Sequence, residues 1–164
     1  MSGAGAPSLA VDGTGLTIEI VASQWHTEVM DGLVAGAIRA AEAAGAGYRV
    51  TRVAGAVELT VVAEALARQG ADAIAALGVV IKGSTPHFEY VCQSVTLGLT
   101  DVARKHVVPV GFGVLTCDDD AQALDRAGLP GSIEDKGFEA ADAAIRTVRV
   151  LQELRDAQRR PAGF

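Results

Sequence analysis

The chain has 164 residues, enough for one domain with its own core and little space for a second. A formal net charge of −6 and a pI near 5.0, with no basic runs and no interleaved basic and aromatic residues, exclude the usual nucleic-acid binders. Hydrophobic residues make up 49% and mean hydropathy is +0.28, yet no apolar run approaches the roughly 20 residues of a membrane-spanning helix, so the excess is expected to cover contacts between subunits.

Residues 1–15 open with a run of Gly, Ala and Pro and turn at Gly13-Thr-Gly15; they are expected to form a partly mobile arm, free or lying on a neighbour. Leu16–Ala22 reads as a strand, and Glu28–Ala44 follows with apolar residues spaced for one helix face. Gly45-Ala-Gly47 ends that helix, Tyr48–Val53 alternates like a strand, and Glu58–Gln69 returns to helical spacing before a stop at Gly70. Ala73–Ile81 is almost continuously apolar, as in a strand buried on both faces of a parallel sheet, and Phe88–Lys105 is long enough for a crossover helix. Val107–Leu115 gives a fourth strand, Asp119–Ala127 a short helix and Lys136–Arg159 a long one; 160–164 is expected to be a frayed tail. Strands alternating with helices predict an α/β fold, helices on both faces of a parallel sheet, with ligands bound at the carboxyl ends of the strands.

The loop after the third strand, Gly83-Ser84-Thr85-Pro86, has the character of an anion site. Thr85 is expected to cap the helix and Pro86 to occupy its first turn; Gly83 would let a phosphate approach the exposed N–H groups, and the Ser84 and Thr85 hydroxyls would add donors. An ordinary capped helix is the simpler reading of the same residues. A Walker loop is excluded, because Ser84 stands where its lysine would be. His87 beside this loop is a candidate for proton transfer. Trp25 could stack on a planar heterocycle or pack over the core, and Glu58 could cap its helix or accept hydrogen bonds from a polyol. Arg126 closes the short helix, where a cation complements the dipole and a guanidinium can also grip phosphate; Phe112 reads by default as core. Cys92 and Cys117 stand apart with no CxxC or Cys/His cluster, which argues against a zinc site or a disulfide framework. Met1–Pro7 lacks the basic and apolar regions of a signal peptide, so the cytoplasm is the expected location.

In order and spacing these segments resemble the lumazine synthase family from about Leu16 to Leu154. Thr85-Pro-His-Phe-Glu-Tyr-Val91 is the most specific, joined by Ser23-Gln-Trp-His26, Val53-Ala-Gly-Ala-Val-Glu58, Phe112-Gly-Val-Leu-Thr116, Gln122-Ala-Leu-Asp-Arg-Ala-Gly128 and Asp135-Lys-Gly137. The resemblance implies a three-layer αβα sandwich of flavodoxin-like type with a four-stranded parallel sheet, open to a fifth strand from a neighbour's N-terminal arm. It implies condensation of 5-amino-6-(D-ribitylamino)uracil with 3,4-dihydroxy-2-butanone 4-phosphate to 6,7-dimethyl-8-ribityllumazine, with no cofactor and no metal. By the same resemblance Trp25 would stack on the pyrimidine. Gly55, Ala56, Val57 and Glu58 would hold the ribityl chain, and the Val79, Val80 and Ile81 backbone would bond the pyrimidine edge. Gly83, Ser84, Thr85 and Arg126 would hold the phosphate, and His87 would shuttle protons. Sites in this family lie between subunits of a homo-oligomer, so that Phe112, Arg126 and Lys136 would come from a neighbour.

The sequence departs from the family pattern at three points: Thr60 stands for a usual proline, Lys82 for a common arginine, and Trp25-His26 for Phe-Asn. Two other functions fit the same fold ancestry: a riboflavin synthase of the archaeal type, and a non-catalytic lumazine or flavin carrier. An intact His87 together with Arg126 favours the condensing enzyme. The turn from Gly128 to Gly137 is two residues longer than that of family members that close into icosahedral shells, and it lacks their Gly-Asn pair; a free homopentamer is expected.

Overall fold

The computed structural model describes residues 11–159, in the order β1 (Thr17–Ser23), α1 (Thr27–Ala44), β2 (Gly47–Val53), α2 (Glu58–Arg68), β3 (Ala73–Ile81), α3 (His87–His106), β4 (Val110–Cys117), α4 (Asp120–Leu124) and α5 (Lys136–Arg159). All four strands run parallel in the order β2-β1-β3-β4. Successive strands are joined through a helix, as the alternating pattern predicts.

Side-chain alternation along the strands divides the interior in two. Ile18, Ile20 and Ala22 of β1, with Ala75, Leu77 and Val79 of β3, face α1 and α5 in one core. Val21, Ile74, Ala76 and Val114 face α2 and α3 in the other. The fold is therefore a three-layer α/β/α sandwich of flavodoxin-like type, with both faces of β1 and β3 dry. That is why β3 reads as an uninterrupted apolar run. Glu19 is the charged exception within β1; it is 3% exposed and its carboxylate is held by the Arg49 guanidinium of β2, which in turn holds the Arg49 pKa above its usual value.

Most boundaries move by one or two residues from the sequence expectation, and three of the differences have a local cause. The fourth strand begins at Val110, not Val107: Val107 sits at φ 51° as the left-handed end of α3, and Val108 N–H donates to Ala103 O. The short helix stops at Leu124, because Asp125 O accepts the N–H groups of both Ile133 and Glu134 and draws the following chain into a turn. The third crossover helix starts at His87 with Pro86 at its N-cap and no side-chain cap, so Thr85 does not cap it. Helix α1 ends as read, at Gly45 with φ 71°.

Of the expected N-terminal arm, residues 11–15 are tied to the body of the chain. Gly13 N–H donates to Ala44 O, and the Arg149 guanidinium of α5 donates to the carbonyls of Asp12 and Thr14. Residues 1–10 and the whole of the expected tail, 160–164, lie outside the described residues.

Candidate active site at the carboxyl edge of the sheet

Parallel strands bring the loops after β1, β2, β3 and β4 to one edge, and the candidates from Trp25 to His87 fall there. Trp25 follows β1 and is 70% exposed. Gly55–Val57 link β2 to α2, and Glu58 opens that helix. These groups converge: a side chain added at Gly55 would stand 3.0 Å from Glu58 Oε2 and 3.9 Å from both Trp25 Cδ1 and Nε1. Bare backbone at residue 55 thus lies beneath an exposed indole and a carboxylate, a combination suited to a heterocycle carrying a hydroxylated chain. Thr60, the residue in place of proline, donates its hydroxyl to Val57 O at 2.9 Å and rests its methyl against Gly98 of α3. The first turn of α2 is closed without a proline.

Strand β3 supplies the floor. Its pairing with β1 ends at Leu77, whereas its pairing with β4 continues to Ile81. Past Leu77, the β1 side of the Gly78–Ile81 backbone therefore has no strand partner among the described residues. Alternating N–H and C=O groups there face the Trp25 loop, and the edge of a pyrimidine can meet them as a further strand would. The loop beyond β3 is open: Gly83, Ser84, Thr85 and His87 are exposed, and space at Gly83 is clear to 4 Å. Lys82 reaches toward Asp118 across the loop after β4, Nζ to Oδ1 3.9 Å.

The remaining candidates stand apart. Phe112 pairs with Ala76, which pairs with Val21, so Phe112 lies two strands, about 10 Å, across the sheet from β1 and well short of its carboxyl edge. It is 45% exposed on the edge strand, a surface residue and not the core residue its apolar context suggests. It does not cover the Trp25 of its own chain.

Arg126 lies in the turn after α4 and donates from Nη1 to Gln122 O at 2.8 Å, the helix-end contact expected of a cation there. Lys136, the first residue of α5, is 17% exposed in its side chain and holds Glu139 Oε2 at 2.7 Å and Glu134 Oε2 at 2.9 Å. Burial works against its ammonium, but the two carboxylates more than offset this and hold its pKa above the usual lysine value. Backbone joins the two cations: Lys136 N–H donates to Arg126 O at 3.0 Å. Asp135 braces the join by accepting Phe138 N–H at the start of α5 and Arg39 Nη2 of α1 at 2.6 Å. The carboxylate fits because Gly36 and Gly128 leave it room; a Cβ at either would collide with it.

Cys92 and Cys117 are free, and burial pushes both thiols up, so neither is an activated nucleophile. His26 is the residue the sequence reading passed over. Its backbone is left-handed, φ 57°, and its ring meets Asp120 of α4. The departure from an Asn at this position was the available signal, since Asn is among the residues that tolerate positive φ.

A family model for 6,7-dimethyl-8-ribityllumazine synthase matches residues 15–152. The chain is 63% identical over 156 residues to the 6,7-dimethyl-8-ribityllumazine synthase of Nocardioides sp., covering 94% of this chain and 97% of that one. It is 60% identical to the enzyme of that name from Leifsonia xyli subsp. xyli, with 94% and 99% covered, and 56% identical to the one from Streptomyces coelicolor, with 97% and 100% covered. Matches of this extent take in every strand and each loop of the carboxyl edge, and the chain belongs to the 6,7-dimethyl-8-ribityllumazine synthase family.

Proposed function

We infer that the chain catalyses the condensation of 5-amino-6-(D-ribitylamino)uracil with 3,4-dihydroxy-2-butanone 4-phosphate. The 5-amino group attacks the ketone and water leaves as the imine forms. Phosphate is then eliminated, and attack by the ribityl-bearing nitrogen with loss of a second water closes the ring of 6,7-dimethyl-8-ribityllumazine. The products are one lumazine, one phosphate and two waters.

The observation that carries this reading is the convergence of Trp25 and Glu58 over the bare backbone of Gly55, beside the unpaired side of β3. Trp25 stacks on the pyrimidine, Glu58 with Gly55, Ala56 and Val57 holds the ribityl chain, and the Val79, Val80 and Ile81 backbone bonds the pyrimidine edge. Gly83, Ser84 and Thr85 bind the phosphate through N–H and hydroxyl groups at the start of α3, where the helix dipole favours an anion. His87, the first residue of that helix, moves protons between the reacting nitrogen, the leaving water and solvent. Holding two reactants in register is the largest contribution, since oriented intramolecular reactions gain about 7–11 kcal/mol.

Each site is completed by a neighbouring copy of the chain, which brings its Phe112 over the heterocycle and its Arg126 and Lys136 to the phosphate. Support for this comes from the distance between Phe112 and Trp25 within one chain and from the exposed apolar residues Val61, Tyr90 and Leu97 on α2 and α3. No helix among the described residues is long and apolar enough to cross a membrane. Two unpaired thiols suit a reducing cytoplasm, where we place the enzyme.

The test is to mix the two substrates and follow lumazine absorbance and released phosphate together. One phosphate per lumazine is expected. Lumazine dismutation without ketose phosphate, or binding without turnover, would replace the reading with another.

A further inference from the structure

Trp25 is the only tryptophan in the chain, and the residue after it has an unusual backbone. His26 sits at φ 57° and ψ 62° at the N-cap of α1, yet its side chain does not cap the helix. Its carbonyl accepts Met30 N–H at 3.0 Å, which fixes the first turn of α1. The imidazole turns the other way, and Nδ1 meets Asp120 Oδ1 at 3.3 Å.

Asp120 opens α4, in the loop after β4, and that loop is itself held. Asp119 accepts Gln122 N–H at 2.9 Å, and Gln122 Oε1 accepts Asp118 N–H at 3.0 Å. Strand β3 lies between β1 and β4. The contact therefore spans the carboxyl edge, tying the Trp25 loop to a braced loop two strands away. We infer that His26 and Asp120 are a positioning pair that holds the Trp25 ring in the orientation that receives the heterocycle. The inference rests on the reading of Trp25 as the stacking residue.

Magnitudes say what such a pair can do. The His26 and Asp120 side chains are 32% and 75% exposed, so the pair adds little to global stability. An exposed pair still shifts a local equilibrium by up to about five-fold. Apparent affinity falls in proportion to the competent fraction of a binding loop, so losing the pair weakens capture of the pyrimidine by no more than that factor. The effect belongs to KM and much less to kcat.

Backbone and side-chain contributions are separable, because Asn and Asp both tolerate positive φ and place a polar atom near the Nδ1 position. His26→Asn keeps a donor facing Asp120 and should remain close to the parent enzyme. His26→Asp keeps the backbone but sets two carboxylates against each other. It should raise KM for the pyrimidine about two- to five-fold and make Trp25 fluorescence more readily quenched by acrylamide. Adding Asp120→Asn to His26→Asp should restore both readings. The pair is overturned if His26→Asp leaves quenching and KM unchanged, or if His26→Asn is as impaired as His26→Asp. Trp25→Ala separates the two ideas: an unchanged pyrimidine KM there removes the stacking role, whereas quenching alone still decides whether His26 and Asp120 hold the ring.

Discussion

Arg126 and His87 are where the proposed chemistry is most exposed to a single change. Arg126→Ala removes a guanidinium that can meet a phosphate through two parallel N–H groups, and most turnover should go with it; Arg126→Lys leaves a point charge and should keep part of the activity. Unchanged ketose phosphate saturation in the alanine variant would remove Arg126 from the site. His87→Ala should lower kcat roughly 10- to 100-fold, the low side of acid–base effects, because proximity still drives the condensation slowly, while pyrimidine binding stays intact. A variant with the parent's rate across the pH range would end the proton-shuttle role. The place of His87 at the start of α3 was legible because the apolar run of β3 ends at Ile81 and helical spacing resumes at Phe88. Thr85 has the sequence of a cap, since Ser or Thr before Pro is a common helix start, yet the helix opens one residue later with Pro86 in the N-cap place. His26 was passed over because its role depends on a backbone angle and on Asp120, 94 positions away in sequence, neither of which periodicity encodes.

Helices and strands were legible because burial on both faces leaves a periodic trace, as in β3, and their ends were less so because ends are set by local competition for backbone groups. Val107 has the composition of a strand but serves as the left-handed end of α3, and the chain between Leu124 and Lys136 folds back on Asp125 O by contacts that no pattern of apolar residues reveals. That turn supports a prediction about Asp135, which caps α5 and receives Arg39 from α1. Asp135→Ala should cost about 1–2 kcal/mol, mostly the lost cap, because Arg39 is half exposed and the ion pair adds less than the cap. Since the same turn carries Arg126 and Lys136, KM for the ketose phosphate should rise as well, and Asp135→Asn should recover most of the stability by keeping an acceptor. A denaturant midpoint that drops equally in both variants would shift the role from cap to charge. On the other face of the sheet, Glu64 of α2 gathers Arg68, His106 and Lys105, with Nε2 of His106 at 2.7 Å. The Arg68 hydrogen bond, followed by those of His106 and Lys105, outweighs burial and lowers its pKa from 4.5 to about 2. A carboxyl depressed on folding contributes stability that is complete above pH 4.5 and is lost as the pH falls toward 2. Glu64→Gln should therefore flatten the acid limb of the unfolding curve between those values. An acid limb identical to the parent's would show that the α2–α3 contact does not depend on this charge.

Neither the residues nor the elements of one chain complete the proposed site, and the assembly is the scale at which the reading is most open to refutation. Phe112 is exposed on the edge strand β4, two strands from the β1 whose loop carries the Trp25 it is proposed to cover, and Val61, Tyr90 and Leu97 present apolar surface on α2 and α3. A surface on one chain that fits a different surface on the next makes a heterologous contact, and such contacts either close into a ring or run on as a filament. We expect closure at five, a particle of about five times 16.8 kDa. A closed shell would need rings to dock at a fixed angle through the turn between α4 and α5. Here that turn runs from Gly128 to Gly137, with Gly128 at φ 69° and Gly131 at φ 96°, and it is braced by Asp125 O and by Ser132, whose hydroxyl donates to Leu124 O and accepts Leu129 N–H. Its internal bonds set its shape within one chain, and with the extra length that the family resemblance gives it over the turn of shell formers we expect assembly to stop at the ring. Dilution should lower activity in step with dissociation, because the proposed site takes Phe112, Arg126 and Lys136 from a neighbour. Light scattering combined with a dilution series checks both points: a megadalton particle would overturn the ring while leaving the shared site intact, and a monomer with full activity would overturn both.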